Sequence, residues 1–116
     1  MDARTAQESQ LPEVVRRLVD AYRPERIYLF GSTARGDGGP DSDLDLLVIV
    51  PDDAPLERQS SRLAYTALRG TGIAADVLVC TRRYFEERLH LKASLPATVL
   101  REGKLLHAAC AFAAPD

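Results

Sequence analysis

Hydrophobic residues in the first part of the chain recur every three or four positions. They are Leu11, Val14, Val15, Leu18, Val19 and Tyr22. Residues at this spacing share one face of a helix, so the pattern predicts an amphipathic helix over residues 11–22. Pro12 suits the first turn of that helix, and Arg23-Pro24 is expected to end it.

Two apolar runs after this helix predict strands. Residues 26–30 are mainly β-branched and aromatic, and residues 43–50 begin acidic and then become apolar at every position. Continuous apolar sequence indicates a strand that is buried on both faces, so the far end of 43–50 should lie in the core. A glycine-rich turn over 31–42, with one helical turn at 32–36, connects the two runs, and a loop over 51–55 follows them.

The second half of the chain continues to alternate between helix and strand. The pattern predicts a helix from 56 to 68 that ends at Gly70, a strand over 74–80, and a helix from Thr81 to about residue 91. The last two predicted elements are a short helix over 94–101, ended by Gly103, and an edge strand over 104–107. This order predicts an α/β or α+β fold, a small mixed sheet with flanking helices. We expect one domain over 1–116, with a core at 11–107 and two tails, one polar and one apolar.

Composition excludes several classes of protein. The chain has 116 residues and a net charge of −2, so no broad nucleic-acid surface is expected. No apolar run approaches the roughly 20 residues that span a bilayer, and residues 1–10 are too polar for a signal peptide. Cys80 and Cys110 lack zinc-site spacing, which favours reduced thiols and a cytoplasmic location.

Residues 31–50 carry the strongest chemical pattern. Asp43 and Asp45 are two apart on a predicted strand, so their side chains should share a face, with roughly 6.6 Å between their Cα atoms. Two carboxylates held this close repel each other unless a cation joins them, and Mg²⁺ prefers carboxylate and phosphate oxygens. The Gly31-Ser32 turn nearby can offer backbone N–H groups and a hydroxyl to phosphates.

Asp76 is a third acid, in the otherwise apolar run 74–80. By itself it would be an ordinary surface acid at a strand end. If its strand pairs beside the 43–50 strand, the three carboxylates could hold two divalent ions about 4 Å apart. Asp37, Asp41, Asp52 and Asp53 are expected to be solvated acids of loops.

These residues resemble a known family. Ile-Tyr-Leu-Phe-Gly-Ser-Thr-Ala-Arg-Gly, then Ser-Asp-Leu-Asp-Leu-Leu-Val and an Asp on a later strand, are similar to the polymerase-β-like nucleotidyltransferase superfamily. More narrowly, they resemble the minimal nucleotidyltransferases (MNT) that act as antitoxins beside HEPN-domain toxins. The resemblance covers about residues 11–107 and implies the nucleotidyltransferase fold.

The resemblance also implies roles for individual residues. Gly31 would let the backbone approach the triphosphate, Ser32 would bind its terminal phosphates, and the nucleotide-binding Arg35 would reach a phosphate or brace the turn. Asp43, Asp45 and Asp76 would be the catalytic and metal-binding carboxylates, with two Mg²⁺ ions as cofactors and ATP as substrate. Position 33 is Thr where many relatives have Arg, which removes one possible phosphate contact but no metal ligand.

Three functions are compatible with this sequence. The first is an enzyme that transfers AMP from ATP to a hydroxyl side chain of a HEPN-type toxin. Little of the chain lies beyond the third strand, so the acceptor is expected to be presented by a partner, in a homo- or hetero-oligomer. The second is a non-catalytic antitoxin that masks its partner, and the third is a nucleotidyltransferase of the antibiotic-modifying type.

Overall fold

The computed structural model describes residues 3–31, 44–73 and 75–109, with side chains from residue 10 onward. Its elements follow the predicted alternation. In order they are α1 (Ala3–Tyr22), β1 (Arg26–Phe30), β2 (Leu44–Val50), a 3₁₀ helix (Leu56–Gln59), α2 (Arg62–Ala67), β3 (Ala75–Thr81), α3 (Arg82–Glu87), α4 (Leu95–Glu102) and β4 (Lys104–Ala108). None of the helices in these ranges is both long and apolar enough to cross a membrane.

The strands form one mixed sheet in the order β3-β2-β1-β4. β1 is antiparallel to both β2 and β4, whereas β2 and β3 are parallel. The parallel pair needs a crossover connection, which the 3₁₀ helix and α2 provide. The mixed sheet with flanking helices and the edge position of the last strand confirm the sequence prediction.

Helix α1 is longer than its apolar pattern predicts. It begins at Ala3, so Pro12 lies inside the helix rather than in its first turn. The prediction of a start at residue 11 was wrong because the preceding residues have no apolar period, although their backbone is helical. The predicted end is correct: Arg23 takes a positive φ of 50° and its N–H donates to the Val19 carbonyl at 2.9 Å.

The predicted helix over 56–68 is divided. Residues 56–59 form a 3₁₀ helix and α2 starts only at Arg62. The Tyr22 hydroxyl explains part of this break, because it donates to the Ser60 carbonyl and accepts from the Ala64 N–H at 2.8 Å. A buried side chain of α1 therefore binds the backbone on both sides of the break, which the local sequence pattern does not reveal.

Both helices after β3 have a side-chain N-cap, of which Thr81 was predicted. Thr81 accepts a hydrogen bond from the Tyr84 N–H, and Ser94 accepts one from the Ala97 N–H, both at 3.2 Å. Helix α3 is shorter than predicted, since it ends at Glu87 instead of near residue 91. Gly103 ends α4 at a point where a Cβ would lie 2.8 Å from the Leu29 carbonyl oxygen, so a larger residue would push β4 away from β1.

The core lies on both faces of the sheet. Alternate residues of β2 face opposite ways: Leu44, Leu46, Val48 and Val50 pack with α1 and α2, whereas Leu47 and Ile49 pack with α3 and α4. We call the first the α1 face and the second the α3 face. Residues 46–50 of β2 are all buried, as its continuous apolar sequence predicts.

Candidate active site

Two acidic side chains meet where β2 and β3 pair. Asp45 of β2 and Asp76 of β3 are register partners. Partners in a parallel pair point to the same side, and neighbouring strands lie about 4.8 Å apart. Asp45 therefore projects from the α3 face with Asp76 beside it. Asp45 is half-buried and Asp76 is exposed. The sequence left the strand pairing open, and the structure settles it.

Gly31 lies against Asp45 on the side away from Asp76. It follows β1 directly, has a φ of +78°, and its backbone contacts the Asp45 side chain. A Cβ built on Gly31 would lie 3.1 Å from the Asp45 carboxyl carbon and would overlap Oδ2. Both the left-handed backbone and the lack of space require glycine at this position. Across the sheet the order is thus Gly31, Asp45 and Asp76.

The remaining predicted site residues cannot be placed. Ser32, Arg35 and Asp43 lie outside the described residues, and their roles stay predictions. In the part of the chain that the structure describes, no three His, Cys, Asp or Glu side chains group closely enough to hold a metal ion. The predicted ligand set consists of three carboxylates, of which two are described.

The described side chains suit a hard divalent cation. Asp45 and Asp76 offer carboxylate oxygens, the ligands that Mg²⁺ prefers. The bare Gly31 backbone lies against the Asp45 side chain, at a point where any side chain on residue 31 would collide with that carboxylate. The carboxylate donor set therefore fits the Mg²⁺ that the sequence predicts.

A cleft that sequence reasoning missed adjoins Asp76. Its volume is about 630 Å³, and it lies between α2 with the turn after it and the first half of β3. Its polar lining includes Ser61, Tyr65, Arg69 and Asp76. The Tyr65 side chain is 79% exposed, a notable value for an aromatic residue on a short helix. The unbroken helix predicted over 56–68 hid this cleft, because only the fold brings α2 beside β3.

The basic residues of α3 and of the turn after it contact other side chains of the same chain. Arg82 lies 3.5 Å from Glu25, Arg83 lies 3.2 Å from Glu87, and the Arg88 guanidinium stacks 3.6 Å from the centre of the Tyr84 ring. Each of these three arginines therefore has a contact within the chain. Asp52, expected to be only a solvated acid, also accepts a hydrogen bond from the Arg83 N–H at 2.8 Å.

Comparison with known proteins agrees with this geometry. The family model of the nucleotidyltransferase domain matches residues 9–106. A Methanocaldococcus jannaschii protein named “Putative protein adenylyltransferase” is 30% identical over 105 residues, which cover 87% of this chain and 98% of that protein.

Two solved structures share the fold. One, described as a “putative minimal nucleotidyltransferase”, is 29% identical with a TM-score of 0.57, over 91% of this chain and 97% of that one. The other is a toxin–antitoxin structure with AMP-PNP, 22% identical with a TM-score of 0.55, over 85% of this chain and 74% of that one. The match to the family model covers most of the chain and includes Gly31, Asp45 and Asp76, and the chain therefore belongs to the nucleotidyltransferase domain family.

Proposed function

We propose that this nucleotidyltransferase transfers AMP from ATP to a hydroxyl side chain of a HEPN-type toxin and so acts as its antitoxin. The observation that carries the catalytic part is the register pairing of Asp45 with Asp76 beside the bare backbone of Gly31. ATP is a cytoplasmic substrate, so we also place the protein in the cytoplasm.

The residues of the chain have separable tasks in this reaction. Gly31 lets the backbone approach the triphosphate, and Ser32 and Arg35 donate hydrogen bonds to its oxygens. Asp43, Asp45 and Asp76 would hold Mg²⁺, which when bound supplies charge neutralisation on the phosphates and activation of the attacking hydroxyl. Asp76 is the most exposed described acid of the site, so it is the carboxylate that an incoming hydroxyl can reach.

The reaction is a displacement at the α-phosphorus. The acceptor oxygen forms a bond to that phosphorus, and the bond between the α-phosphorus and the oxygen that bridges to the β-phosphorus breaks. Pyrophosphate leaves with the electron pair, and the hydroxyl proton passes to Asp76 and then to water. The products are a phosphodiester of AMP with the acceptor and free pyrophosphate.

The comparisons support the choice of acceptor and donor. The M. jannaschii relative is named for adenylyl transfer to protein, and the toxin–antitoxin structure contains AMP-PNP, an ATP analogue. Together with the resemblance to antitoxins of HEPN toxins, they favour a protein acceptor over a small molecule.

The test is incubation with ATP labelled at the α-phosphate, Mg²⁺ and a HEPN-domain toxin. We expect label on the HEPN protein with the native chain, none with Asp43→Asn/Asp45→Asn, and full labelling with the control Asp53→Asn, an exposed loop acid. Neutralisation of the toxin without labelling would indicate the steric mask instead. Labelling of aminoglycosides but not of protein would indicate the antibiotic-modifying type.

A further inference from the structure

The position of the cleft beside Asp76 can be compared with the direction from which the attacking oxygen must enter. In an in-line displacement the attacking and leaving oxygens lie on opposite sides of the phosphorus. If the leaving phosphates lie at the Gly31 end of the row Gly31, Asp45, Asp76, the attacking oxygen must enter from the Asp76 end. β3 is one of the two edge strands of the described sheet, and its residues Ala75, Asp76 and Val77 line the cleft.

The segment beside the cleft is positively charged. Of its three arginines, Arg69 lines the cleft together with Asp76, whereas Arg58 and Arg62 lie on the same segment outside the lining. None of the ion pairs among the described residues includes these arginines. With Glu57 as its one acid, the segment 56–73 has a net charge of +2, although the whole chain has a net charge of −2.

We propose that this cleft binds the acceptor segment of the partner, and that the segment carries acidic residues beside its hydroxyl. Arg69 contacts a carboxylate of the partner segment beside the acceptor residue. The exposed ring of Tyr65 packs on the acceptor side chain, and the hydroxyl of that acceptor side chain reaches Asp76. This inference rests on the proposed function, because it takes Asp76 as the acid nearest the attacking oxygen. It assigns acceptor recognition to Tyr65 and Arg69, which lie outside the acidic motif.

The probes are three synthetic peptides, each with a central tyrosine that is flanked on both sides by two glutamates, two glutamines or two lysines. Binding of each fluorescently labelled peptide to the full chain is measured by anisotropy, with Mg²⁺ and a non-hydrolysable ATP analogue. Transfer from ATP labelled at the α-phosphate is measured separately. We expect the glutamate peptide to bind best and the lysine peptide worst.

The decisive variant is Arg69→Glu, matched by Lys92→Glu, which makes the same charge change at an exposed turn away from the cleft. Arg69→Glu should weaken binding of the glutamate peptide about fivefold, the order expected for exposed charge pairs, and should reverse the preference toward the lysine peptide. The same change should appear in the KM for the peptide and not in the KM for ATP. Tyr65→Ala should weaken all three peptides to a similar degree.

The two proposals fail in different ways. If the peptides bind with the expected order but receive no AMP, the proposed function fails and the acceptor cleft stands. If transfer occurs but all three peptides react equally, or Arg69→Glu behaves as Lys92→Glu does, the cleft proposal is overturned. Absence of binding for every peptide would also overturn it.

Discussion

The two faces of the sheet are covered to different extents. On the α1 face, Leu44, Leu46, Val48 and Val50 are buried along the whole length of β2. On the α3 face, Ile49 packs with Phe85 and Val99, whereas toward the Asp45 end Leu78 is 45% exposed and Asp76 is exposed.

This difference separates stability from chemistry within one strand. Continuous apolar packing on the α1 face stabilises the sheet, so the opposite face can be left open at one end. Neighbouring residues of β2 then belong to different regions, because their side chains alternate between the faces. Asp45 faces the open site and Leu46 faces the closed core, so substitutions at these two positions test the comparison directly.

The largest expected effect is on the open face. Asp45→Asn should lower the rate of nucleotidyl transfer about 10³-fold, since a lost carboxylate ligand removes several kcal/mol of transition-state stabilisation. The free energy of unfolding of the metal-free protein should stay the same or rise, because Asp45 and Asp76 repel each other. Single-turnover transfer assays and urea unfolding measure the two quantities. A large drop in stability would show that Asp45 belongs to the core instead.

The next effect is on the closed face. Leu46→Ala removes a fully buried side chain and should lower the free energy of unfolding by about 2–5 kcal/mol. The rate of transfer by the molecules that remain folded should change little, because this side chain points away from the site. Urea unfolding gives the stability, and assays well below the unfolding midpoint give the rate. Loss of transfer in fully folded protein would contradict the separation.

Gly31 tests the boundary between the two regions. Gly31→Val puts a branched Cβ where the Asp45 carboxylate lies and forces it into a positive φ, at a cost of about 1–3 kcal/mol. Binding of ATP should weaken because the backbone can no longer approach the phosphates. Calorimetric titration of ATP, with and without Mg²⁺, measures this, and AMP is the control because it lacks two phosphates. Unchanged affinity for ATP would exclude the close approach.

The smallest expected effect is on the pH dependence of the unfolding free energy, through Cys80 on the α3 face. Burial raises the pKa of the Cys80 thiol from its ordinary 9.0 to about 11, so the folded protein binds this proton more tightly than the unfolded chain does. Its contribution to stability is complete below pH 9 and is lost as the pH rises toward 11. Cys80→Ala should therefore flatten the decline in unfolding free energy between these values. Parallel declines in both proteins would show that Cys80 does not cause it.

Helix boundaries show what local sequence can and cannot predict. The limits of β1, the Thr81 cap and the Gly103 stop follow from side-chain shape and backbone hydrogen bonds within a few residues, and each was predicted. The break before α2 was not predicted, because it depends on Tyr22, which is 38 residues from Ser60 in the chain. The early start of α1 was missed because a helix without an apolar stripe has no periodic signal.

The sequence by itself predicted which residues carry the chemistry. Spacing, residue type and an apolar context single out Gly31, Asp45 and Asp76, because acids beside buried strands are costly unless a function retains them. Only the tertiary structure decided that Asp76 lies beside Asp45 and that a cleft opens next to it. Strand order and register depend on packing between residues far apart in the chain, and no local pattern contains that information.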